Sequence, residues 1–188
     1  MADTDGSSTF DPFAGPAIVA TAPTTEPQRE IWTACALGDD ASLAFNESVT
    51  LTFDGSLNVD ALRGAFDDVI ARHDSLRSTL SADGMSLLVG AATPGALEFV
   101  DQSGQDPAAQ QAARLELGQQ EVRTPFDLQK GPLFRARLVK LNDRQHYVVL
   151  TAHHIVFDGW SNAVLVADWA ALYAQRLLQS LAAADVDI

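Results

Sequence analysis

Val148-Val149-Leu150-Thr151-Ala152-His153-His154-Ile155-Val156-Phe157-Asp158-Gly159-Trp160-Ser161 is the stretch on which the reading of this chain turns. An apolar run of strand length ends in two histidines, Asp158-Gly159 turns the chain, and Ser161 stands where a helix cap would. Beyond it Val164, Leu165, Trp169, Leu172, Tyr173 and Leu177 recur at helical spacing to about Leu181. The strand would fix an imidazole and the turn would expose it. The helix start would offer free N–H groups that favour developing negative charge. Histidine suits base work near neutral pH, and Gly159, without a side chain, lets its backbone N–H approach a ligand closely. Asp158 either orients a histidine or braces the turn by pairing with an arginine. A structural histidine beside an ordinary Asp-Gly turn fits the same residues, and the pattern alone leaves both readings open. A metal shared by His153 and His154 is not expected, because neighbours on a strand point to opposite faces. No Gly-x-Ser-x-Gly elbow for a serine nucleophile is present.

Working outward, a strand over Leu133–Leu141 precedes the polar turn Asn142-Asp143-Arg144 and the strand His146–His153. On the first of these Arg135 and Arg137 share one face, with Phe134, Ala136 and Leu138 on the other. Lys130, Arg135, Arg137, Lys140 and Arg144 fall close together, so this face reads as a solvated sheet surface or as a docking patch for an acidic partner. Further upstream the pattern predicts a weakly amphipathic helix over Pro107–Val122. Short strands are expected at Leu76–Leu80, Met85–Val89 and Leu97–Val100, and a helix over Val59–Arg72 behind an Asn58 cap. Asn46 to Phe53 alternates, with Val49, Leu51 and Phe53 on one face. Thr25 with Gln28 makes a capping box for a helix that ends near Gly38, Pro27 fitting its first turn. Residues 1–23 show no sustained period and read as a flexible leader and candidate docking element, leaving 24–188 as the folded lobe. Strands mixed irregularly with helices imply an α+β fold, a mixed sheet flanked by helices.

The chain has 188 residues, enough for one domain with a sizeable core. It carries 12 Lys plus Arg against 25 Asp plus Glu, a net charge of −13, which disfavours nucleic acid and anionic lipid as partners. Apolar runs stop well short of the roughly 20 residues a spanning helix needs, and the acidic start is unlike a secretory signal. The single cysteine, Cys35, has no internal disulfide partner, and no Cys/His spacing suggests zinc. A cytoplasmic protein without metal or disulfide is the expectation.

The segment His153 to Ser161 resembles the HHxxxDGWS motif of nonribosomal peptide synthetase condensation domains. Three further segments match in the family's order: Thr25 to Trp32 resembles the opening motif, and Arg72-His73-Asp74-Ser75-Leu76-Arg77-Ser78-Thr79-Leu80 the second, RHExLRTxF. Pro125-Phe126-Asp127-Leu128 with Gly131-Pro132-Leu133-Phe134-Arg135 resembles the connector. Departures are Pro27 where Ala is usual, Asp74 for Glu and Leu80 for Phe. The resemblance implies the amino-terminal lobe of a chloramphenicol-acetyltransferase-like fold, whose family members have a second lobe with motifs absent here. It implies amide formation between a carrier-bound acyl or peptidyl thioester and a carrier-bound aminoacyl amine. Substrates would arrive on 4′-phosphopantetheine and no cofactor would be bound by this lobe. His154 would be catalytic, as base or by positioning the amine. Gly159 N–H would be a donor to the oxyanion, and His153 structural. Asp158 would be a brace salt-bridged to Arg77. Trp160 and Trp169 are expected to be packing residues and Ser161 the cap of the last helix. Partners would be the carboxy-terminal lobe and the donor and acceptor carriers, with Arg135 and Arg137 the docking candidates. An isolated lobe would be inactive. The rival readings are a non-catalytic carrier-docking scaffold and an epimerisation-type relative sharing the histidine motif. A heterocyclisation domain is disfavoured, since it replaces the histidine pair.

Overall fold

The computed structural model describes residues 17–184. In chain order the elements begin with β1 (Ile18–Pro23), α1 (Glu26–Cys35), α2 (Asp39–Leu43), β2 (Asn46–Asp54) and α3 (Val59–Arg72). A 3-10 turn (Asp74–Arg77) leads to β3 (Ser78–Leu80), β4 (Ser86–Gly90), β5 (Leu97–Asp101) and α4 (Pro107–Arg123). The chain then runs through β6 (Phe134–Asn142) and β7 (Gln145–His153) into α5 (Gly159–Ala184).

Four strands form the main sheet in the order β2-β7-β6-β5, with β5 parallel to β6 and the other pairs antiparallel. A smaller antiparallel sheet has the order β1-β4-β3. The mixed sheet flanked by helices is the architecture read from the sequence. β7 is central, and every residue of it after Gln145 is buried. Both of its faces are covered, which is why it reads as a continuous apolar run and not as an alternating one.

The two faces carry different layers. Val148, Leu150 and Ala152 of β7, with Phe134, Ala136 and Leu138 of β6, meet Leu62, Phe66 and Val69 of α3 and Leu165 and Trp169 of α5. The Phe66 ring lies 4.8 Å from Trp169 and 6.2 Å from Phe134, and Trp169 Nε1–H donates to Leu62 O at 3.0 Å. On the other face Tyr147, Val149 and Val139 pack under Leu117 of α4. α4 buries only Leu117 and Glu121, which accounts for its weak amphipathic pattern. α1 starts with the expected capping box, Gln28 N–H donating to Thr25 Oγ1 at 3.4 Å and Thr25 N–H to Gln28 Oε1 at 3.0 Å. Asn58 caps α3 through Ala61 N–H at 3.0 Å.

Two local expectations are corrected, and one helix is present that was not expected. Order does not begin at Thr25: Ile18–Pro23 of the expected leader forms β1, pairing with β4. It is an edge strand with all six residues exposed, so neither face imposes an apolar period. The remainder of that leader, residues 1–16, lies outside the described residues. Leu76–Leu80 is not one strand; its first half is the 3-10 turn. The short helix α2 had no periodic signal.

Candidate active site

β7 delivers the two histidines to opposite environments. Its ladder with β2 pairs Asn46 with His153 and Glu47 with Ala152, and one further bond, His154 N–H to Phe45 O at 2.8 Å, carries the pairing past the strand end. His153 takes the α4 side and is fully buried, its ring 6.0 Å from those of Phe45 and Phe126. Ile155 N–H donates to His153 Nδ1 at 3.2 Å, so the neutral ring carries its proton on Nε2, which faces Cys35 Sγ at 3.7 Å. Burial, seconded by the neighbouring His154, pushes the His153 pKa down to about 4. Burial also pushes the Cys35 thiol up. A thiol beside a neutral imidazole is a packed pair with no thiolate character.

His154 follows on the other side and stays open, with 39% of its side chain exposed. Its Nδ1 lies 2.6 Å from Glu47 Oε1. The approach lacks hydrogen-bond alignment, and Nδ1 is buried with no other partner among the described residues. Glu47 was not singled out in the sequence. It continues the inward stripe of Val49, Leu51 and Phe53, so a charged residue at the end of an apolar face was the available signal.

α5 begins directly after the turn. The Asp158 carboxylate accepts from Ser161 N–H at 2.7 Å and from Ser161 Oγ–H at 2.6 Å. These bonds hold its pKa below the usual carboxylate range. Asp158 is therefore the cap, and Ser161, expected in that role, is the residue it binds. The expected Asp158–Arg77 ion pair is also corrected. Arg77 donates to Gly90 O at 2.6 Å and pairs with Asp74, its neighbour along the 3-10 turn. Asp74 stands where the second motif has Glu, and it takes the guanidinium by a local contact. Gly159 sits in the first turn, where N–H groups lack intrahelical acceptors. A Cβ built there would meet no atom within 4 Å, so the backbone faces open space.

Glu47, Ser48, Val49, Phe157, Gly159 and Asn162 line an open cleft of about 320 Å³; neither histidine lines it, and His154 borders it through its contact with Glu47. Asn162 Oδ1 is buried without a partner among the described residues. A larger cavity of about 500 Å³ lies by Arg77, Lys130 and Pro132 and includes neither histidine. The loop between β7 and α5 is tied to the opening motif, because Gln28 Nε2–H donates to Ile155 O at 2.9 Å. Trp169 is buried as expected, whereas Trp160 is 81% exposed and packs against little of this chain.

Arg135 and Arg137 do share one face, the α4 side opposite α3 and α5, but their charges are matched. Arg135 binds Glu121 at 2.9 Å and stacks on Phe126 at 3.9 Å; Arg137 binds Glu98 at 2.9 Å. Lys140 pairs with Asp143 at 2.7 Å and Lys130 with Asp127 at 3.3 Å. Four of the five residues of the basic cluster seen in the sequence are thus held in intramolecular ion pairs; Arg144 is the exception among the described residues. Among the described residues no group of His, Cys, Asp and Glu is arranged to hold a metal. No described helix is long and apolar enough to cross a membrane.

The family model of the condensation domain matches residues 19–184. Chondramide synthase of Chondromyces crocatus is 38% identical over 153 residues, covering 80% of this chain and 4% of that protein. Malpibaldin synthetase of Mortierella alpina is 34% identical over 149 residues, 78% of this chain and 3% of that protein. The solved starter condensation domain of rhizomide synthetase superposes with a TM-score of 0.71 at 28% identity, over 82% of this chain and 37% of that one. The cyclization-docking bidomain from Sorangium cellulosum does so with a TM-score of 0.70 at 25% identity, over 86% of this chain and 33% of that one. The chain thus spans a few hundredths of these curated relatives and about a third of these two solved chains. With its mixed sheet, its flanking helices and its histidine loop, it belongs to the condensation-domain family of nonribosomal peptide synthetases and corresponds to the amino-terminal lobe of that chloramphenicol-acetyltransferase-like fold.

Proposed function

We propose that this lobe supplies the catalytic histidine, His154, for amide-bond formation between a carrier-bound acyl or peptidyl thioester and a carrier-bound aminoacyl amine. The observation that carries the reading is the position of His154. It follows a buried strand half-exposed, in contact with Glu47, which lines an open cleft together with Gly159 of the first turn of α5, while its neighbour His153 is sealed inside. In the reaction the amine nitrogen attacks the thioester carbonyl and gives a tetrahedral oxyanion. The C–N bond then stays, the C–S bond breaks, and the phosphopantetheine thiol leaves. His154 Nε2 receives or orients the amine proton, which ends on the departing sulfur to give the thiol, and Gly159 N–H donates to the oxyanion at the positive end of α5.

The remaining roles follow from packing. His153 anchors the loop from below, and Asp158 caps the start of α5, in whose first turn Gly159 N–H lacks an intrahelical acceptor. The reacting tunnel has a second wall, for which the carboxy-terminal lobe of the same enzyme is the partner, with donor and acceptor carriers bringing substrates to either side. Without that lobe the chain does not turn over. The test mixes two loaded carriers with this chain alone, and with the chain joined to a second lobe. Product is expected only in the joined protein; product from the single lobe would overturn the reading, as would none from a folded joined protein.

A further inference from the structure

The chain brings a carboxylate to the histidine loop that no motif announces. Glu47 pairs with Ala152 across β2 and β7, and His154, one residue past the end of β7, continues the same face two residues on. Such diagonal positions are within reach of long side chains, and here Glu47 Oε1 comes to 2.6 Å from His154 Nδ1. No other group competes for that nitrogen among the described residues, since Nδ1 is otherwise buried and unpartnered. The nearby carboxylate of Asp158 is taken up by Ser161. The imidazole of His153 points away to Ile155 N–H and Cys35.

We propose that Glu47 is a positioning residue for His154, holding the proton of the neutral ring on Nδ1 and leaving the lone pair of Nε2 free for the amine. A carboxylate oxygen 2.6 Å from Nδ1 is favourable when Nδ1 carries the proton, and a small rotation of either side chain brings the pair, not aligned in this structure, into a hydrogen bond. The neutral ring then has one acceptor left, Nε2, and Glu47 fixes the direction in which that acceptor points. Neither Glu47 nor Nδ1 touches the reacting atoms; Glu47 acts through the ring. The catalytic consequence rests on His154 being the reacting residue, while the tautomer assignment rests on the proximity of Glu47 and is independent of that role.

The test has two readouts. Long-range nitrogen–proton NMR of the histidine-labelled chain reads the tautomer directly. The wild type and E47Q, which keeps an acceptor oxygen, are expected to show His154 protonated on Nδ1. E47A is expected to shift toward the Nε2-protonated form. In the two-lobed enzyme E47A is expected to lower kcat by about tenfold or more, with KM for the loaded carriers unchanged and E47Q recovering most of the loss. An E47A chain with an unaltered tautomer overturns the proposal whatever its activity, and so does a wild-type ring protonated on Nε2. Should E47A misfold, the wild-type and E47Q spectra still decide it. A tautomer that shifts as expected, together with a His154→Ala enzyme that still makes product, upholds the positioning and overturns the catalytic reading instead.

Discussion

Replacing His153 by Gln should flatten the pH dependence of stability in the weakly acidic range. In the folded chain the ring is fully buried, packed against Phe45 and Phe126, with Nδ1 already engaged by Ile155 N–H. Protonating it would bury a charge and break that bond, which is the physical content of a pKa lowered from 6.5 to about 4. In the unfolded chain the residue titrates near 6.5, so between these values the unfolded state binds the proton and the folded state does not. Stability is therefore lost as pH falls from 6.5 toward 4, and below 4 the loss from this residue levels off. At about 1.36 kcal/mol per pH unit the full effect is about 3 kcal/mol, most of it reached by about pH 4.5. Urea unfolding of the wild type and His153→Gln between about pH 7.5 and 4.5 measures it. The offset at the neutral end is irrelevant; the stability difference between the two should move in favour of the variant by about 2–3 kcal/mol on acidification. Carboxylates titrate alike in both proteins and cancel. Parallel pH profiles would refute the buried neutral histidine.

Other expectations follow from single contacts. Phe66→Ala removes a fully buried ring from between Trp169 and Phe134 and should cost about 3–5 kcal/mol in denaturant unfolding; a loss below about 1 kcal/mol would mean the three-ring stack is not where the helices meet the sheet. Asp158→Ala should cost clearly less than Phe66→Ala, since only an exposed cap is lost, and Asp158→Asn should restore most of it. Combined with Arg77→Ala its effect should be additive; strong coupling in that double-mutant cycle would restore the ion pair that Asp74 displaces here.

The fold was most legible where burial imposes a period. α3 and α5 follow from their apolar stripes, β2 from its alternation, and β7 from an unbroken apolar run. Caps were legible where an oxygen and an N–H lie three residues apart, as at Thr25 and Asn58. The start of α5 misled because Asp158 and Ser161 are both good caps, and only geometry shows which accepts. β1 escaped notice because an exposed edge strand has no inner face. At the site, strand alternation predicted that His153 and His154 face opposite ways, while which of the two is open came from the resemblance. The Arg77 contact could not, since two acidic residues compete for one guanidinium and the local one, Asp74, wins. Nor could Glu47, whose contact with His154 joins residues far apart in the chain and depends on the register of β2 against β7.

Central to the account is the half-exposed imidazole at the end of β7. The most direct test is His154→Ala in the complete two-lobed protein, assayed for amide product from two loaded carriers, with unfolding curves confirming the fold. The account predicts wild-type stability with product formation reduced by about a hundredfold or more. A well-folded variant that makes product at a near-normal rate would contradict it.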